Sequence, residues 1–200
     1  MQTFRELFNE IQTTDQEQSR LAARAVRKLL YNSHQQFSDL KVIIANAPVE
    51  YSKITEDFRQ ENFVLAISVI YFLHDREERP DFLFLWFFQL LQHENGYIRH
   101  AAVRMIEHEL GPLTYYLRFP DNKSDIHTFS GEIADQILFR LYFNLNNLAS
   151  RYWQPRYKRY KYVDSLPIGI YKSIQMILSR LEEDCGAKKF TEFQSRMNQQ

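Results

Sequence analysis

Leu90-Leu91-Gln92-His93-Glu94-Asn95-Gly96-Tyr97-Ile98-Arg99-His100-Ala101-Ala102-Val103-Arg104-Met105-Ile106 is the stretch on which the fold turns. Leu90 and Leu91 close an apolar, aromatic run that begins at Phe82. A short polar break follows at His93-Glu94-Asn95-Gly96, and then Ile98, Ala102, Met105 and Ile106 recur at intervals of three and four, the period of a helix with one buried face. Two helices joined by a break this short make a helical hairpin. The small Ala102 lets the paired helices approach closely, Ile98 and Ile106 fill the layer between them, and Arg99 is placed to bond turn carbonyls or nearby acids.

The same period runs outward in both directions. Phe4, Leu7, Phe8 and Ile11 predict a first short helix, and Thr14-Asp15-Gln16-Glu17 has the form of a capping box that opens a second, burying Leu21, Ala22, Ala25, Val26 and Leu29. Ser33 reads as the start of a third helix. Asn46-Ala47-Pro48 reads as a break, with Pro48 opening a helix over 49–74 and Pro80 opening the next. Gly111-Pro112 is expected to end the helix 97–110, and 119–125 reads as a loop. Ser130 is placed to cap a strong helix bearing Ile133, Ile137, Leu138, Leu141, Leu145 and Leu148. Ser165 precedes a last helix with Ile170, Ile174, Ile177, Leu178 and Leu181, which Gly186 follows. No stretch alternates like a strand. The expected organisation is one all-α helical-repeat domain over 1–186 and a polar tail over 187–200.

Composition agrees. Two hundred residues suffice to bury a large core without a metal or disulfide staple. Five Gly and six Pro are too few for the many tight turns of an all-β domain. Lys+Arg and Asp+Glu balance at 25 each, so bulk charge does not mark a polyanion binder. The charge is uneven, however: residues 1–110 carry 12 basic and 16 acidic groups, and residues 111–200 carry 13 and 9. The lone Cys185 excludes an internal disulfide. The apolar run Phe82–Leu91 has about half the ~20 residues a membrane-spanning helix needs, and no export signal is read at the start, so a cytoplasmic protein with no membrane partner is expected.

A repeat is also legible. Ser19-Arg20, Phe58-Arg59, Ile98-Arg99 and Phe139-Arg140 recur at spacings of 39, 40 and 41. The unit at 90–106 resembles a HEAT repeat, whose pattern runs Leu-Leu, an Asp-containing turn, Val-Arg, two residues, Ala and a closing apolar residue. This chain has His93 where that family has Asp. The resemblance implies a right-handed α-α superhelix of stacked hairpins, with a concave face on which such proteins bind partners.

Chemistry is sparse by comparison. Arg151-Tyr152-Trp153-Gln154-Pro155-Arg156-Tyr157-Lys158-Arg159-Tyr160-Lys161-Tyr162 holds five basic and five aromatic residues and no acid. Its candidate contacts are Arg151, Trp153, Arg156, Tyr157, Lys158, Arg159, Tyr160 and Lys161. Cations of this kind neutralise phosphates or acidic side chains, and the rings offer stacking faces. His100, Arg104 and His108 share a helix face, but Arg104 in the middle repels a cation, so no metal and no cofactor are expected. Cys185 follows Glu182, Glu183 and Asp184, a setting that raises a thiol pKa, and no glycine loop or hydrolase-type serine is present. The expectation is a non-catalytic scaffold binding a macromolecule, protein ahead of nucleic acid. The alternative implied by the resemblance is a solenoid of the alkylpurine DNA glycosylase type, with Trp86, Trp153 and the segment 151–162 meeting DNA.

Overall fold

The computed structural model describes residues 2–32, 38–74, 81–119, 130–159 and 169–199. Among these, every regular element is helical and no strand occurs. The chain divides into two compact units, Met1–Asp75 and Arg76–Gln200. The division falls beside the charged stretch 75–80 that reads as a turn in the sequence. The expected starts at Ser33, Pro80 and Ser165 lie outside the described residues.

In the first unit, α1 (Phe4–Thr13), α2 (Gln16–Asn32), α3 (Ser38–Tyr51) and α4 (Asp57–Ile70) are followed by a 3-10 turn at Tyr71–Leu73. α4 packs against each of the other three. Phe63, Val64, Ala66, Ile67 and Ile70 are all buried, so it is apolar around most of its circumference, as a central helix must be. Phe63 meets Phe8 edge to face at 5.6 Å. A buried polar chain ties three helices together: Asn62 Nδ2 donates to Ser19 Oγ (3.0 Å), and Ser19 Oγ donates to Ile11 O (2.8 Å).

The first helix begins with a capping box that the sequence reading passes over. Thr3 Oγ1 accepts from Glu6 N, and Thr3 N donates in turn to Glu6 Oε2. The box expected at Thr14–Glu17 does not form, because Thr14 ends α1 and its hydroxyl donates to Glu10 O (2.7 Å). Asp15 takes over the start of α2, accepting from Gln18 N. Pro48 also departs from expectation: it lies inside α3, and the break comes after Tyr51.

In the second unit, α5 (Phe84–Leu91), α6 (Gly96–Arg118), α7 (Gly131–Tyr152), a 3-10 helix at Pro155–Arg159, α8 (Ile170–Cys185) and α9 (Ala187–Met197) follow in order. α6 packs against α5, α7 and α8. The α5–α6 pair is the hairpin the sequence announces, with Leu90, Leu91, Ile98, Ala102 and Ile106 fully buried. Six of the eight residues of α5 are buried, which accounts for its apolar run, and no helix among the described residues is long and apolar enough to cross a membrane.

α6 does not stop at Gly111-Pro112 but continues to Arg118. Proline disfavours helix at the preceding residue through that residue's N–H and Cβ; Gly111 has no Cβ, which removes part of the clash. Thr114 Oγ1 donates to Leu110 O (2.6 Å) and Arg118 Nη2 to Gly111 O (2.7 Å), supporting the carbonyls around the proline. Ser130 caps α7 as expected, accepting from Ile133 N.

Residues 187–197 form α9 where the sequence reading expects a polar tail. Gly186 joins it to α8 with φ 79°, a backbone conformation natural to glycine. Phe193 is fully buried against Phe139 and Tyr142, at 5.9 and 5.7 Å between centroids, and Phe190 meets Tyr142 edge to face at 5.0 Å. Asp135 on α7 completes the attachment: Lys189 pairs with Oδ1, Arg196 Nη1 with Oδ2 at 2.8 Å, and the Tyr116 hydroxyl donates to Oδ1 at 3.3 Å.

Two outcomes follow from this packing. Ala102→Leu should overpack the α5–α6 hairpin and cost about 1–3 kcal/mol, read as a lower urea midpoint at unchanged slope. For Asp135, burial alone would raise the carboxyl, but its bonds to Lys189 and Arg196 outweigh that and hold it below its ordinary value of 3.8. Its contribution is therefore complete above that value and is lost as pH falls through the lowered folded-state value. Asp135→Asn should cost about 1–3 kcal/mol near neutral pH, between the values for exposed and buried pairs. The difference between wild type and variant should shrink progressively as pH falls below about 4 in denaturant titrations.

Candidate functional site

The basic-aromatic segment starts inside α7 rather than in a loop. Arg151 and Tyr152 form its last turn, Trp153 leaves the helix with extended backbone (φ −65°, ψ 139°), and Pro155 opens the 3-10 helix. Two tyrosines fasten the segment to the unit. The Tyr152 hydroxyl donates to Gln92 Oε1 (3.1 Å), the residue that ends α5. Tyr157 stacks on Tyr171 of α8 at 4.6 Å with 15° between the ring planes.

Between those anchors, Trp153, Gln154, Pro155 and Arg156 are exposed, as is Arg151 just before them. Trp153 keeps 43% of its surface in solvent, a large share for an indole. Among the described residues no acidic group pairs with Arg151 or Arg156; the Arg156 guanidinium lies 5.3 Å from the Tyr157 ring centroid. Lys158 and Arg159 belong to the 3-10 helix by backbone, and Tyr160 and Lys161 lie outside the described residues. The structure thus brings together Arg151, Trp153 and Arg156 as a presented set. It turns Tyr157 inward, where Tyr171 takes one ring face that a base would need.

Arg99, the residue at the centre of the repeat reading, is 4% exposed, and its Nη1 donates to the carbonyls of His93 and Glu94, each at 2.6 Å. His93 Nδ1 accepts from Asn95 N (2.9 Å), and Asn95 Oδ1 caps α6 by accepting from Tyr97 N (2.8 Å). The turn therefore closes through backbone carbonyls, with no aspartate at position 93. Arg59, forty residues earlier, does comparable work in the first unit, donating from Nε and Nη2 to Thr14 O at 3.2 and 2.9 Å. Arg20 instead pairs with Glu17 on its own helix, and Arg140 is exposed.

The remaining candidates resolve into structural surroundings. His100 is half-buried on α6, and burial, reinforced by Arg104, pushes its pKa down. Among the described residues no group of three His, Cys, Asp or Glu is placed to hold a metal ion. Trp86 is 3% exposed within α5, so it offers no face to DNA. A concavity that sequence reading misses lies between α7 and α9: a groove of about 290 Å³ lined by Gln136, Phe139, Arg140, Phe143 and Arg196. Its sequence signal is the i, i+3, i+4, i+7 spacing of 136, 139, 140 and 143 on one helix face.

No family model, curated protein or solved structure matches the chain. What the fold defines is an all-α protein of two compact helical units.

Cys185 is the one group with the chemistry of a nucleophile that the sequence singles out. Burial, with Asp184 beside it, pushes its thiol up to about 12. The thiolate is the reactive species, so the folded protein should be inert to an aromatic disulfide reagent at pH ~8 and titrate one thiol only after unfolding. A rapid reaction in the native state would contradict that environment.

Proposed function

We propose that this chain is a non-catalytic helical-repeat scaffold of the HEAT type that binds a macromolecular partner, a protein, through the strap at 151–157. The observation that carries the reading is the exposure of Trp153 between Arg151 and Arg156 on a segment pinned at both ends by Tyr152 and Tyr157. Trp and Arg are the side chains most often found at the energetic centres of protein interfaces, and a pinned segment loses little entropy when a partner covers it.

The HEAT reading is supported by the α5–α6 hairpin. Ala102 is fully buried between helices, Ile98 and Ile106 flank it, and Arg99 hooks the turn that separates the pair. Arg59 and Arg99, forty residues apart, both spend their guanidinium groups on carbonyls near helix ends. The nucleic-acid alternative is weakened by two placements: Tyr157 gives a ring face to Tyr171, and Trp86 is buried. The glycosylase-like form of that alternative has no further support among the described residues.

The test is a comparison of wild type, Trp153→Ala and the double variant Arg151→Ala/Arg156→Ala in affinity enrichment from the source cells, with the captured protein then purified and titrated. Trp153→Ala should weaken that complex by about 2 kcal/mol or more, roughly thirtyfold, with the melting temperature unchanged. Labelled single-stranded DNA should not bind at low salt. Salt-dependent DNA binding that falls with the double variant would overturn the protein reading in favour of the nucleic-acid one. A Trp153→Ala protein that melts earlier yet binds its partner normally would make the strap structural.

A further inference from the structure

The groove between α7 and α9 has the chemistry of a recognition site and lies on other residues than the strap. We propose that it seats an acidic segment of a partner protein, taking a side-chain carboxylate between Arg140 and Arg196 and a neighbouring apolar side chain on the Phe143 ring. Arg140 and Arg196 line the groove together with Gln136. Arg140 is exposed and has no ion pair among the described residues, so a charge stands there for an incoming anion. Arg196 is held in advance: its guanidinium carbon lies 3.9 Å from the centroid of the Phe139 ring, and Nη1 is committed to Asp135 at 2.8 Å. Arginine has five N–H donors, so that commitment leaves others for a ligand.

Size and charge select the occupant. A groove of about 290 Å³, at the small end of the roughly 300–1,000 Å³ of pockets that enclose small-molecule ligands and cofactors, has room for one or two side chains of a polypeptide. Asp135 and Glu192 stand 2.8 and 3.7 Å from Arg196. They offset part of the charge on Arg196, which leaves Arg140 the main pull on an incoming anion. Arginine pairs readily with a carboxylate in a bidentate fork, and the half-buried Phe143 ring supplies an apolar surface that a bare phosphate cannot use. A carboxylate beside an apolar residue matches both the arginines and the Phe143 ring.

The experiment is a chemical-shift titration of the full-length, nitrogen-15-labelled chain at physiological salt with three probes. These are an acetylated, amidated hexapeptide alternating Glu and Leu, its counterpart alternating Lys and Leu, and inorganic phosphate. The acidic peptide should bind with a Kd of about 1 mM or tighter and shift signals at 136–143 and around 196. Arg140→Glu and the milder Arg140→Gln should weaken it, the former by about tenfold or more, with the thermal midpoint unchanged because Arg140 is exposed. Phe143→Ala should weaken it as well. Absence of binding, equal binding of the Lys peptide or of phosphate, or undiminished affinity in Arg140→Glu would each overturn the proposal.

Discussion

A turn between two buried helices leaves carbonyl groups that must find donors, and the second unit is organised around how it meets that demand. α5 ends against α6 with Leu90 and Leu91 fully buried, and the carbonyls just beyond them lie in a partly buried turn. Arg99 answers from inside the hairpin by sending Nη1 to His93 O and Glu94 O. A buried carbonyl without a donor is costly, and here one guanidinium nitrogen serves two of them. With the turn closed, α5 stays paired with α6, and α6 runs on as the helix that α5, α7 and α8 share.

That arrangement was legible wherever the signal was local. Ile98, Ala102 and Ile106 carry the helical period, and Ser130 caps its own helix three residues on, so neighbouring residues sufficed to read them. The misreadings at Pro48 and Gly111-Pro112 have a common origin: both prolines lie inside helices whose packed faces outweigh the local break. α9 was missed because its apolar content is small; Phe190 and Phe193 look incidental until Tyr142 and Phe139 are brought against them from fifty residues away.

The candidate site divides in the same way. That 151–162 is rich in arginine and aromatic residues could be read directly, but which side chains face outward could not. Tyr152 finds its partner in Gln92, sixty residues upstream, and Tyr157 finds Tyr171 across a stretch of chain with no local signature. Sequence alone therefore put Tyr157 and Trp153 in one class, whereas the fold makes the first an anchor and leaves the second presented. The α7–α9 groove was invisible for a related reason, since its fifth wall, Arg196, comes from the helix that was read as a tail.

Gly186 gives that last helix a particular mechanical character. One glycine separates Cys185 from Ala187, and its left-handed backbone sets the angle at which the chain turns from α8 into α9. α9 is tied to α8 through that single residue, so as a rigid body it would swing on one joint. When it does, it uncovers Phe139 and Tyr142 together and removes Arg196 from the groove in the same step. The C-terminal helix is thus the element whose opening would couple the exposure of an apolar surface to the loss of a charged one, and amide exchange over 187–197 ahead of α6 would be its signature.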